Sequence, residues 1–261
     1  MMFPRLNSIF RFLLPQTVRA HRIMGGPLRG SRIVTSWRDY PAAILGITEP
    51  QLLQWFAATA KPGETWLDVG AHYGYTAIAL SRQVGPTGRV FAFEPMLTTA
   101  GHLVRTRQMN AFPQLTVVPL ALGATARSFE LQQLTTVRGM IDSTLASDGG
   151  DPASGAGWQE TILTCRFDDL WPGLCGENAR INGIKIDVQG MEIEAVRGMS
   201  AQLQAHKPKL VIEVHRGVSR EELLGLLASL GYRRPAVPIE PVAGEVEPRY
   251  LDNRSYAFSA D

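Results

Sequence analysis

Short apolar runs alternate with segments of helical period along most of this chain. Thr65–Val69 (TWLDV) and residues 89–94 (RVFAFE), 115–122 (LTVVPLAL), 181–188 (INGIKIDV) and 208–215 (PKLVIEVH) are of strand length and largely apolar. Such runs suit strands buried on both faces of a parallel sheet. Residues 75–84, 96–111, 190–204 and 219–232 carry the longer helical period between them. In the last of these, Ser219 is placed as N-cap and Glu222 as the reciprocal residue of a capping box. Residues 232–239 and 254–260 predict two more strands with no helix between them, hence an antiparallel hairpin at the end of the sheet. The polar interval after the 115–122 run, with Gly139, Gly149, Gly150, Gly155 and Gly157, reads as an exposed loop with short irregular strands.

Residues 1–60 read as a mostly helical accessory segment, and 61–261 as the principal α/β domain, divided by the KPGE turn at 61–64. Leu52, Leu53, Trp55 and Phe56 cluster on one helical face, with Pro50 early in that helix. The first residues mix basic and apolar side chains as an export signal does. Arg11 interrupts the apolar stretch, Pro15 ends it, and no small-residue cleavage site follows. The segment is therefore read as packing on the main domain, with weak membrane attachment as the alternative. No run reaches the length needed to span a bilayer.

The 261 residues carry a net charge of +2, and 22 of the 26 basic residues are scattered arginines. A nucleic-acid footprint is not expected from that distribution. Cys165 and Cys175 stand alone, which suits reduced thiols in a cytoplasmic protein rather than a zinc cluster.

The chemistry gathers at strand ends. After the first strand the chain reads Gly70-Ala71-His72-Tyr73-Gly74, lacking the middle glycine of the dinucleotide fingerprint. A phosphate loop is excluded as well, because no Gly-Lys-Ser/Thr follows. Asp68 closes the first strand, where a carboxylate suits a bound amine better than a pyrophosphate. Glu94 closes the second strand, placed to take both hydroxyls of a ribose. Together they suit a nucleoside with a charged amino-acid tail.

The segments LDVGAHYGYTAIAL, VFAFEP, VPLALG, IKIDVQGMEIEAVRG and LVIEVH together resemble the FkbM-type, S-adenosylmethionine-dependent methyltransferases over roughly residues 60–230. The resemblance implies the class I methyltransferase fold: a Rossmann-like, mainly parallel seven-stranded sheet with an antiparallel last strand, here with a helical N-terminal extension. It implies methyl transfer from S-adenosylmethionine to a hydroxyl of a sugar or small natural product. The implied cofactor residues are Asp68, Gly70, Ala71, His72, Gly74 and Tyr75, then Glu94 and Pro95 at the ribose, Ala121 and Leu122 at the adenine, and Asp142 and Ser143 along the pocket. His72 and Tyr73 replace the Asn and aliphatic residue common in the family, and Gln189 stands where the family usually has Glu.

Methyl transfer needs an aligned acceptor oxygen, a destination for its proton and exclusion of water. Asp187 is the leading candidate to hold or deprotonate the acceptor, with Glu213 and His215 on the face of the last parallel strand. His215 and His72 compete as base, since imidazole titrates near neutrality. A divalent ion on Asp187, Glu213 and His215 is chemically reasonable, but no short ligand motif supports one and none is assigned. Trp37, Tyr40, Trp158 and Trp171 could stack against a sugar, and residues 24–50 and 138–160 suit an acceptor lid. The acceptor is a small molecule or carbohydrate. The rival readings are a binding protein that kept the cofactor fold without catalysis, and an NAD-dependent oxidoreductase.

Overall fold

A computed structural model describes residues 14–125, 129–137, 140–141, 158–176, 179–233, 236–243, 245 and 247–260. The main sheet has seven strands: β3 (Thr65–Val69), β4 (Arg89–Phe93), β5 (Leu115–Val118), β10 (Gly183–Ile186), β11 (Lys209–Val214), β12 (Val237–Pro238) and β13 (Arg254–Phe258). Their order is β12-β13-β11-β10-β3-β4-β5. Strands β5, β4, β3, β10 and β11 are parallel, whereas β13 runs antiparallel to both β11 and β12. The chain reverses its strand order between β3 and β10, where open α/β sheets bind their ligands.

Alternation along each strand sends side chains to two separate cores. Leu67, Val69, Phe91, Phe93, Ile184, Ile186, Leu210 and Ile212 point to one face. That face is covered by α5 (Phe167–Cys175), α6 (Glu192–Gly198), α7 (Ser200–His206) and α8 (Arg220–Ser229). Trp66, Val90, Ala92 and Val211 point to the other, beneath α2 (Pro50–Thr59), α3 (Tyr75–Val84) and α4 (Leu97–Met109). Asp68, Lys185 and Glu213 share the parity of this second face, so three polar residues meet at its carboxyl edge.

Residues 14–60 contain α1 (Pro41–Leu45) and α2, and also an antiparallel pair, β1 (Arg19–Arg22) with β2 (Arg32–Thr35). Glycines at 25, 26 and 30 obscure this hairpin in a pattern read for helices. Its outer edge is secured by side chains of the α4 region. Thr106 Oγ1 accepts from the Val34 N–H at 2.9 Å. Asn110 accepts from the Arg32 N–H at 2.9 Å and donates to the Arg32 carbonyl at 2.6 Å. Asn110→Ala is expected to cost about 1–3 kcal/mol in urea unfolding and to raise the hydrogen-exchange rate of the Arg32 amide first.

The 115–122 run is not one strand. Pro119 ends β5, and β6 (Ala121–Leu122) joins a second sheet in the order β6-β9-β7-β8. There β7 (Phe129–Val137) pairs antiparallel with β9 (Trp158–Cys165) and with β8 (Met140–Ile141). The polar interval thus holds a regular strand of nine residues, and one of eight residues follows it, both longer than the irregular ones expected. The 190–204 helix is likewise divided, at Met199, into α6 and α7. Ser219 caps α8 through the Glu222 N–H, and the Glu222 carboxylate pairs with Arg197. Among the described residues, no helix is long and apolar enough to cross a membrane.

Candidate active site

A cavity of about 370 Å³ opens at the carboxyl edge of β3, β4, β10 and β11. One side is lined by Gly70, Ala71, Tyr75, Glu94, Pro95 and Met96 and by Leu120–Leu122; the other by Tyr40, Thr48, Glu49, Asp187, Gln189 and Glu213. His72 and Lys185 lie on the same wall. Most of the residues named from the sequence are therefore brought together. Asp68, Gly74 and His215 stand behind the wall, and Asp142 and Ser143 lie outside the described residues.

The loop after β3 is fixed by backbone geometry. The N–H groups of Gly70 and Ala71 both donate to the Phe93 carbonyl at 3.0 Å. Gly70 has φ +81, and a Cβ there would sit 1.8 Å from the Asp187 carbonyl oxygen. Gly74 has φ +92 and abuts Leu103 of α4, so its smallness serves the packing of α4 rather than contact with a ligand. Of the seven non-glycine residues with positive φ among the described residues, Glu49, His72 and Gln189 line the cavity. Each such conformation costs on the order of 1–3 kcal/mol and tends to gather at functional sites.

Glu94 is buried, with its two oxygens accepting from the His72 N–H at 2.9 Å and the Met96 N–H at 3.0 Å. A carboxylate retains further lone pairs for a ligand's hydroxyls. Burial raises its pKa to about 7, against the pull of those two amides. Below the unfolded value its contribution to stability is fully present, and it is lost as pH rises through about 7. Ligand binding has the opposite sign, because hydroxyl donors need the ionised carboxylate.

Behind the wall, strand register builds a charged cluster. Asp68 of β3 lies directly beside Lys185 of β10. Asp68 is fully buried, and one of its oxygens accepts from the Thr76 hydroxyl at 2.7 Å. Lys185 Nζ donates to the Gly70 carbonyl at 3.1 Å and lies 3.2 Å from Asp68 Oδ1 and 3.3 Å from Asp187 Oδ2. Burial alone would lower the ammonium's pKa. The carboxylates of Asp187, Asp68, Glu49 and Glu213 override it and raise the value. Asp68 thus faces this lysine and Thr76 rather than the open cavity, and Lys185 is a buried cation, not a snorkelling one.

His215 Nδ1 is 2.6 Å from Glu192 Oε1, and its Nε2 lies 3.5 Å from Asp187 and 3.4 Å from Glu213. Burial would lower the imidazole's pKa, but hydrogen bonds to Glu192 and Glu213 and the charge of Asp187 raise it to about 10. The ring carries a proton at neutral pH and serves as a cation among carboxylates. That departs from its expected role as a neutral base. His72 fails differently, since burial lowers its pKa to about 4. Asp187, Glu213 and His215 offer ligand atoms within 4.8 Å of one another, yet Lys185 and the imidazolium already supply positive charge there.

Glu192 was not singled out from the sequence. It shares the i, i+3, i+4, i+7 stripe of Ala195, Val196 and Met199, all fully buried. An acid on an apolar stripe is the signal that finds it. Of the four aromatic candidates, Tyr40 lines the cavity, Trp171 is core, Trp37 packs edge-on to His21, and the Trp158 side chain lies outside the described residues.

Residues 68–234 match the methyltransferase FkbM domain family. The chain belongs to this family. Its sheet order is that of the class I methyltransferases, as the sequence leads one to expect. The hexuronic acid methyltransferase AglP of Haloferax volcanii is 29% identical over 180 residues, 69% of this chain and 68% of that protein. Among solved structures, the FkbM methyltransferase from Methylobacillus flagellatus is 18% identical with a TM-score of 0.46, over 78% of this chain. The chain spans about half that structure's length, since 50% of it is covered. Fibrillarin of Aeropyrum pernix, which carries natively bound S-adenosyl-L-methionine, is 13% identical with a TM-score of 0.49, over 93% of this chain and 88% of its own. Family members share the segment from Asp68 onward; Tyr40 and Glu49 precede it.

Proposed function

We propose that this FkbM-family protein transfers the methyl group of S-adenosylmethionine to a hydroxyl oxygen of a sugar, with hexuronic acids as the favoured class. The observation that carries the proposal is the single cavity joining Glu94 and the Gly70–Ala71 turn to a wall of acceptor-type carboxylates. The lone pairs left on Glu94, beside the small Gly70–Ala71 turn on the same cavity wall, fit a nucleoside ligand. Glu94 would hold the ribose hydroxyls, Ala71 and Pro95 would flank them, and Leu120–Leu122 would border the adenine. When bound, the cofactor supplies an electrophilic methyl group on a sulfonium.

The rest falls to the chain's own side chains. Asp187 and Glu213 are placed to accept hydrogen bonds from acceptor hydroxyls. Lys185 and His215 hold these carboxylates in place and limit their mutual repulsion. Tyr40 closes the cavity with an apolar ring face, against His72 at 5.4 Å between centroids. The hexuronic acid preference rests on the likeness to AglP.

Incubation with methyl-labelled S-adenosylmethionine and glucuronic acid or methyl glucoside, read by mass spectrometry, tests this reading. One added methyl per sugar supports it; label that never leaves the cofactor in the presence of either sugar counts against it. In Glu94→Gln, affinity for S-adenosylhomocysteine is expected to fall at least tenfold at pH 8. The wild-type affinity is expected to weaken as pH drops through about 7, and the variant's to stay flat over that range.

A further inference from the structure

Glu49 stands outside the matched family segment, on the residue before Pro50, which opens α2. The residue before a proline is ordinarily extended, yet Glu49 is left-handed, with φ 49 and ψ 41. It makes no side-chain cap to its own helix. Its carboxylate instead turns into the cavity. Tyr40 Oη donates to Oε1 at 3.3 Å, while Oε2 is buried and has no hydrogen-bond partner. The backbone is bent here to aim an acceptor at the ligand space.

We propose that Glu49 is the catalytic residue that takes the proton from the sugar hydroxyl. The inference rests on the methyltransferase reading above. As the hydroxyl oxygen forms its bond to the methyl carbon, the carbon–sulfur bond breaks and its electron pair stays on sulfur, which becomes a neutral thioether. The proton released from the oxygen passes to Glu49 Oε2.

The other candidate bases, on the wall and behind it, are committed elsewhere. His215 is already protonated, His72 is too weak a base, and Asp187 is paired with Lys185. Tyr40, Tyr75, Lys185, Asp187, Glu213 and Asp68 are the titratable groups that interact with Glu49. Burial raises its pKa first, Lys185 opposes, and the three acids raise it further, to about 7. A base of that strength suits proton transfer near neutral pH. The acidic wall also disfavours a sugar carboxylate as nucleophile, so the product is a methyl ether rather than an ester.

Glu49→Gln keeps the shape and the Tyr40 contact. It should retain S-adenosylhomocysteine affinity within twofold and lose about 100- to 10,000-fold in kcat, with Glu49→Asp recovering part of the loss. At saturating cofactor the wild-type kcat should rise with pH to a plateau above about 7, and Glu49→Gln should lose that limb. Independently of turnover, carboxyl ¹³C NMR of glutamate-labelled protein should show a resonance titrating near 7 that Glu49→Gln abolishes. A kcat within twofold of wild type, a Glu49 resonance in the ordinary glutamate range, or a product methyl released by mild base would overturn the proposal. Failure of S-adenosylhomocysteine to bind would remove the methyltransferase reading instead, leaving the NMR result to decide whether Glu49 is a poised proton acceptor.

Discussion

Lys185→Met is expected to lower the free energy of unfolding by about 3–5 kcal/mol, the usual cost of removing one partner from a buried ion pair. Lys185 is 4% exposed, and its ammonium touches Asp68, Asp187 and the Gly70 carbonyl. Methionine fills similar volume, so the loss is electrostatic and not a cavity effect. Two carboxylates then face each other across β3 and β10 without a cation. Restoring neutrality with Asp68→Asn in the same chain should recover a substantial part of the stability, because residues in one network couple strongly. Urea titration of the single and double variants measures both quantities. A single variant within about 1 kcal/mol of wild type would mean that Lys185 does not hold the cluster.

Gly70→Ala should be the most damaging change in the loop. A left-handed alanine costs about 1–3 kcal/mol, and overpacking adds about 1–3 kcal/mol or more. The methyl group would meet the Asp187 carbonyl, a backbone atom that cannot swing aside. Relief requires β3 and β10 to separate at their carboxyl ends, which would displace Asp187 and Lys185 together. Thermal unfolding and S-adenosylhomocysteine binding should therefore both be lost or sharply reduced. Gly85→Ala is the control, since a Cβ there meets nothing within 4 Å and only the backbone cost remains. Equal effects at the two sites would contradict the close approach inferred for Gly70.

The parallel strands were legible because both faces of each are buried. TWLDV and KLVIEV read as continuous apolar runs with no competing pattern. The β7–β9 pair was not, because Phe129 and Leu131 lie on the exposed side of their sheet, and the glycines nearby dominate the pattern. Asp68 and Glu94 could be named as strand-end acids from local order alone. Lys185 and Glu192 could not be assigned, since their partners are set by strand register and by the packing of α6 on β11. Glu49 was hidden for a similar reason: its orientation follows from a left-handed φ that no sequence rule places before a proline.

Calorimetric titration with S-adenosylhomocysteine, with NAD as the competing ligand, tests the cofactor assignment most directly. Near-stoichiometric binding at pH 8, weakened at least tenfold in Glu94→Ala and absent for NAD, is the expected result. Binding of NAD in its place, or binding of S-adenosylhomocysteine indifferent to Glu94, would contradict the proposed use of this cavity.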